Sequence, residues 1–163
     1  MVGRQGLHHD VLLRLLREAG AENASTHLAT GNVLFDEPPD QLVQVVQRLE
    51  AGIERVVGRR RPVIVREAPW LSAFMAAEPF RAFPDEEWER AVVFLVREAA
   101  PLDPAGLVDV DGLRVVDVRP HELLTAGRRG TPGPGPLRLL APTRREEATS
   151  RSWGTIERLA RLA

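Results

Sequence analysis

Apolar residues recur at helical spacing in the first third of the chain. Val11, Leu12, Leu15, Leu16 and Ala19 fall on one face of a segment that starts at His8, with Arg14, Arg17 and Glu18 outside it. The spacing predicts a helix over 8–19, and Gly20 stands where a left-handed residue ends one. From Pro38 to Val57 the same period returns. Leu42, Val45, Val46, Leu49, Ile53 and Val56 make a continuous stripe closed by Gly58, with Asp40 and Arg55 placed to suit the helix dipole. Between these helices the pattern shortens to that of strands. Ser25–Ala29 and Val33–Phe35 flank the turn formers Thr30-Gly31-Asn32, in which Gly31 accepts positive φ, so a β-hairpin is expected. Val63-Ile64-Val65 is a short β-branched run and reads as a mostly buried strand.

The resulting order, α-β-β-α-β, is that of a ferredoxin-like (split βαβ) unit without its first strand. Met1–Leu7 carries two glycines and little strand character. Either another segment supplies the central pairing position, or the chain is a shortened form of a longer ancestor.

Beyond residue 66 the pattern is less regular. Pro69–Ala77 reads as a helix with Trp70, Phe74 and Ala77 facing a core, followed by an apolar bend through Pro79, Phe80, Phe83 and Pro84. Ala91–Val96 is the strongest strand in the chain. Leu113–Val118 follows the turn-prone Asp111-Gly112, and His121–Thr125 suits its hairpin partner. Residues 103–108 fit a short helix, or a turn at Asp103-Pro104, and a last helix is expected over 155–162. This order approximates a second copy of the first unit. The expected fold class is therefore α+β: two ferredoxin-like subdomains packed together, the first missing its N-terminal strand. Their expected limits are 1–66 and 67–163, with a Pro/Gly-rich surface loop at 130–136.

Composition narrows the chemistry. All 22 basic residues are Arg, and Lys, Tyr and Cys are absent from the 163 positions. Disulfides, thiolate nucleophiles, cysteine metal sites, Schiff-base lysines and lysine-dependent phosphate loops are excluded. The net charge of −1 hides a gradient. Nine Arg face 8 acids over 1–66, 5 face 12 over 67–124, and 8 face 3 over 125–163. With a pI near 6.4, only a local basic patch is available, which argues against nucleic acid as a partner. No apolar run is long enough for a membrane span, and no basic-then-apolar leader opens the sequence. A cytoplasmic protein without a membrane partner is expected.

Individual motifs divide between chemistry and architecture. His8-His9-Asp10 places imidazoles beside a carboxylate, but neighbouring helical residues diverge, so these read as polar helix-start residues and no metal is expected. Gly3-Arg4-Gln5-Gly6 ahead of a helix presents amides to an anion, without the preceding strand of a dinucleotide fingerprint. Arg59-Arg60-Arg61 is either a phosphate grip or a hydrated loop, and Asp85-Glu86-Glu87 with Glu89 either a cation site or a helix start. Ser25, Ser72, Ser150 and Ser152 lie in no Gly-x-Ser-x-Gly context, so no catalytic residue is assigned. The densest polar group is Thr149-Ser150-Arg151-Ser152-Trp153-Gly154-Thr155. Arg151 suits an anion, Trp153 packs or stacks, and Ser150 and Thr155 add hydroxyl donors. The alternative is an N-cap in front of a core tryptophan. This cluster, with Gly3 and Arg4, ranks first as a site for a phosphate-containing small molecule. No cofactor is expected.

Taken with the hairpin, these residues resemble the bacterial family known as domain of unknown function 1697. Ala29-Thr30-Gly31-Asn32-Val33-Leu34-Phe35 follows a helix like that at 11–20. Thr149-Ser150-Arg151-Ser152-Trp153-Gly154-Thr155-Ile156 resembles the family's Thr-Thr-Arg-Asn-Trp-Asn-Thr-Val segment. Val63-Ile64-Val65-Arg66 and the Glu78-Pro79-Phe80 bend also suit their places. The resemblance carries over Gly31, Asn32, Arg151 and Trp153. It implies two ferredoxin-like subdomains and assigns no reaction. The family pattern begins with a strand and an Arg-Gly-Ile-Asn-Val-Gly-Gly loop, of which Val2-Gly3-Arg4 matches only the end. A Gly-x-x-Arg-Ser-Lys segment is replaced here by Arg128-Arg129-Gly130 and the proline-rich loop.

Three functions compete. A non-enzymatic binding protein using an exposed sheet edge, by self-association or a partner strand, leads. A nucleotide- or phosphate-binding enzyme, or its degenerate relative, comes second on the strength of Arg151 and Trp153. Weak single-stranded nucleic-acid binding through sheet aromatics comes third, with Phe35 and Phe94 the candidates.

Overall fold

The structure, a computed structural model, describes residues 6–27, 31–36, 38–96, 111–133 and 135–163. It is mixed α+β, with a two-stranded and a four-stranded antiparallel sheet, and divides at Val63/Ile64 into two compact units. The positions expected for the first strand (1–5) and for the 103–108 helix lie outside the described residues.

The first unit runs α1 (His9–Ala19), β1 (Glu22–His27), β2 (Asn32–Asp36) and α2 (Pro39–Val57). Most of the apolar stripes read from the sequence are buried, while Leu42 and Val46 stay half-buried. Leu12, Leu15, Leu16 and Ala19 of α1 meet Val45, Leu49 and Ile53 of α2 in one core. Gly20 takes φ 102 and bonds back to Arg17 O, while Ala21 N–H reaches Leu16 O. This left-handed cap turns the chain into β1. The helices approach closely at Gly52, where a Cβ would stand 2.9 Å from Leu15 Cδ2. The hairpin forms, but β1 begins at Glu22 and Asn32, expected in the turn, is paired in the ladder: Ser25 faces Leu34, Thr26 faces Val33 and His27 faces Asn32, with Gly31 at φ 77. Because opposite residues share a face, Val33 and Phe35 lie against the core and Leu34 lies on the other face.

Val63-Ile64-Val65 is not a strand: it joins no ladder. Its β-branched side chains are shared out instead, Val63 packing on the first unit's core and Ile64 on the second's. A local apolar run cannot distinguish these outcomes.

The second unit contains α3 (Ala68–Ala76), β3 (Trp88–Leu95), β4 (Leu113–Val118), β5 (Glu122–Arg128), a 3-10 helix (Pro136–Leu139), α4 (Pro142–Arg145), β6 (Ala148–Ser152) and α5 (Trp153–Ala160). The strand order is β4-β5-β3-β6, every neighbouring pair antiparallel. β3 is central and covered on both faces, which is why its sequence reads as a continuous apolar run. Val92, Phe94 and Leu124 pack on one side with Phe74 of α3 and Ile156 of α5. Val93, Leu95 and Leu123 pack on the other with Leu140.

Two expectations change here. Asp85-Glu86-Glu87 opens no helix; it is a turn that leads directly into β3. β6 was not expected, because Ala-Thr-Ser-Arg-Ser lacks an apolar alternation. It is an edge strand whose outer residues stay half-exposed, and its register on β3 replaces a sequence signal. Thr131, Pro132, Gly133 and Gly135 are exposed as the loop reading requires, and Pro136 heads the 3-10 helix.

Candidate functional site

The polar tail cluster is spread by its secondary structure. On β6, Arg151 lies opposite Val92 and Ser150 opposite Val93, so the two side chains occupy opposite faces of the sheet. Arg151 Nη1 donates to Thr149 Oγ1 and, at 2.8 Å, to the Ser150 carbonyl. Burial lowers the guanidinium's pKa from its ordinary value, because desolvation penalises the cation. Ser152 caps α5: its hydroxyl accepts from the Thr155 N–H at 3.3 Å and lies 3.0 Å from the Thr155 hydroxyl. Trp153 is 5 % exposed, its ring edge-on to Phe74 and Phe80 at 5.7 and 5.0 Å. That indole is part of the second unit's core. Gly3 and Arg4 lie outside the described residues. Gly31 precedes β2, and Asn32 is the first residue of β2, opposite His27, where its Nδ2 donates to the His27 carbonyl at 3.3 Å.

Several of the other sequence candidates take structural places. His8 is the N-cap position of α1. Arg60 pairs with Glu50 at 3.6 Å, and the same carboxylate accepts from the Val63 N–H. Phe94 is buried and Phe35 packs on the first unit's core, which removes both aromatics from the sheet surface. Ser25 Oγ and His27 Nε2 lie 2.9 Å apart on the outer face of the hairpin. Among the described residues no carboxylate orients that imidazole.

Two ionic groups in the second unit join residues far apart in sequence. Asp85 Oδ1 lies 3.2 Å from both Arg90 Nη2 and Arg129 Nη2, and Glu87 pairs with Arg128 at 2.8 Å. The guanidiniums of Arg114 and Arg128 sit 5.1 and 4.6 Å from the Trp88 ring. Asp85 and Glu87 thus hold three guanidiniums between them. Elsewhere Trp70 stacks on Phe74 at 4.8 Å, and each ring carries a guanidinium, Arg66 at 5.2 Å and Arg119 at 4.8 Å. Composition foretold many arginines, but only the fold shows which acids hold them.

What stays incomplete is backbone. Among the described residues β2 pairs with β1 alone, although Val33, Leu34 and Phe35 form an apolar run there. A model of the family described as protein of unknown function (DUF1697) matches residues 1–116. The chain belongs to the DUF1697 family. The match takes in all of the hairpin and ends within β4, so the DUF1697 span includes the incomplete sheet and leaves the 149–156 segment outside it. No curated protein and no solved structure matches the chain. Among the described residues no helix is long and apolar enough to cross a membrane.

Proposed function

We propose that this DUF1697 chain is a binding protein that accepts a β-strand on its first unit. The observation that carries the reading is the two-stranded sheet β1-β2, with β2 laddered on one side among the described residues. Two strands alone are marginal in water, and an apolar edge strand is a template for a third.

The strand order of the second unit supports reading both units as split βαβ sheets. There the chain order β3, β4, β5, β6 becomes the sheet order β4-β5-β3-β6, so the first strand is inserted beside the third. Helix α1, hairpin β1-β2 and helix α2 are the elements that follow a first strand in such a unit. By the same order, the position beside β2 is the one a further strand takes.

Amide hydrogen exchange of the full chain tests this, with and without an eight-residue valine–threonine peptide. Added protection confined to the β2 amides supports strand acceptance. Unchanged β2 exchange at saturating peptide refutes it.

A further inference from the structure

We propose that the groove between α1 and α2 binds a short aliphatic dicarboxylate, held between Arg48 and Arg55. The site lies on the helices and is independent of strand acceptance by β2.

A hollow of about 240 Å³ opens to solvent between the two helices, lined by Leu15, Glu18 and Ala19 of α1 and by Arg48, Ala51 and Arg55 of α2. Its floor is apolar, because Leu15 and Ala19 belong to the first unit's core. Ala51 and Gly52 are small where α2 passes Leu15, which leaves space between the longer side chains to either side.

The two arginines flank that space. They are seven positions apart on α2, so they share a face and stand about 10.5 Å apart along the axis. The Arg55 guanidinium turns back along the helix, its Nη2 3.7 Å from the position a Cβ would take at Gly52. Arg48 reaches across to α1, donating through Nη1 to the Ala19 carbonyl and through Nη2 to Gln44 Oε1, each at 3.4 Å. Both acceptors are neutral, so the charge of Arg48 is not balanced. Nor does α2 balance it from its own turns. The positions three and four away that face Arg48 are Gln44, Val45, Ala51 and Gly52, and the last two are also those preceding Arg55. Glu18, the acid in the wall of the hollow, lies 3.5 Å from Arg14. Among the described residues neither Arg48 nor Arg55 has an ion-pair partner.

Two unbalanced cations with an apolar stretch between them define the ligand. Each guanidinium donates charge-assisted bonds to one carboxylate, and the methylenes joining the carboxylates cover Leu15, Ala19 and Ala51. A monocarboxylate leaves one cation unanswered, and an inorganic anion leaves the floor bare.

Adipate, hexanoate and 1,6-hexanediol share one chain length and carry two, one and no carboxylates. Each is titrated into the labelled full chain and followed by amide chemical shifts. Adipate is expected to move the amides of 15–20 and 48–55 and to saturate with a Kd of about 1 mM. Hexanoate is expected to bind about tenfold more weakly, and hexanediol to move nothing. Arg48→Gln and Arg55→Gln are each expected to weaken adipate about tenfold, the loss of one charged hydrogen-bonding group. Ala51→Leu fills the hollow, keeps both charges and is expected to abolish binding. Ala51 and both arginines are exposed, and the dispersion of each variant's spectrum checks that it folds. Adipate that moves no α1 or α2 amide at about 10 mM overturns the proposal. So does equal binding of hexanoate, or binding that neither arginine variant weakens. Shifts gathered at 149–155 instead overturn it in favour of the tail segment. Strand acceptance is read separately, on the β2 amides with the valine–threonine peptide, so either reading can fall alone.

Discussion

Arg66 and Glu122 are 56 positions apart, and Arg66 donates through Nε at 2.9 Å and through Nη2 to a single carboxylate oxygen, Oε1. The Glu122 side chain is 7 % exposed and the guanidinium lies 5.2 Å from the Trp70 ring. The cation is thus held by a carboxylate and an aromatic face at once. Removing one partner of a buried pair strands the other charge, at a cost of about 3–5 kcal/mol. Arg66→Met is therefore expected to lose stability in that range in urea unfolding. The double variant Arg66→Met/Glu122→Leu is expected to lose less than Arg66→Met alone. A single-variant loss below about 1 kcal/mol would show that the pair is effectively solvated.

Trp153 gives a second test, because its role as packing differs from any role in binding. It touches Phe74 and Phe80 from the first position of α5. Trp153→Ala is expected to cost about 3–5 kcal/mol in urea unfolding, and Trp153→Phe clearly less. A loss of only a few tenths would remove the tryptophan from the core account.

The close approach of α1 and α2 predicts a change of sign. In an open helix Gly→Ala gains about 1 kcal/mol. At Gly52 the new methyl meets Leu15 Cδ2 at 2.9 Å, and overpacking of this kind costs about 1–3 kcal/mol. Gly52→Ala is expected to destabilise the wild type and to stabilise a Leu15→Ala background. Thermal unfolding of the four proteins of this cycle measures the coupling; additive effects would contradict the contact.

The ionic lattice before β3 should respond unevenly. Arg128 and Glu87 are about half exposed, so Glu87→Gln is expected to cost under about 1 kcal/mol and to lose that effect in high salt. Asp85 faces two guanidiniums, one of them, Arg90, only 16 % exposed with a buried Nε that has no partner among the described residues. Asp85→Asn is expected to cost more and to keep its effect in salt. Equal, salt-sensitive losses would make both pairs surface contacts.

Legibility in the sequence follows the range of the forces involved. Helices α1 and α2, the hairpin and strand β3 are written locally. Each buries a stripe or face whose period survives in the sequence, and Gly20 and Gly31 mark turns that need positive φ. The tail cluster was legible only as composition. Residues 149–155 carry hydroxyls, a guanidinium and an indole, and the strand period separates Arg151 from Ser150 while the core takes Trp153.

By itself, then, the sequence determined the α+β class, the first unit's helix–hairpin–helix order and the exclusion of thiol and lysine chemistry, because periodicity and residue type are local properties. Only the tertiary structure decided that Val63 and Ile64 serve two cores, that a polar run becomes edge strand β6, and that Glu122 holds Arg66. Those outcomes depend on backbone hydrogen bonds and charges meeting across tens of residues, and a one-dimensional pattern does not record such meetings.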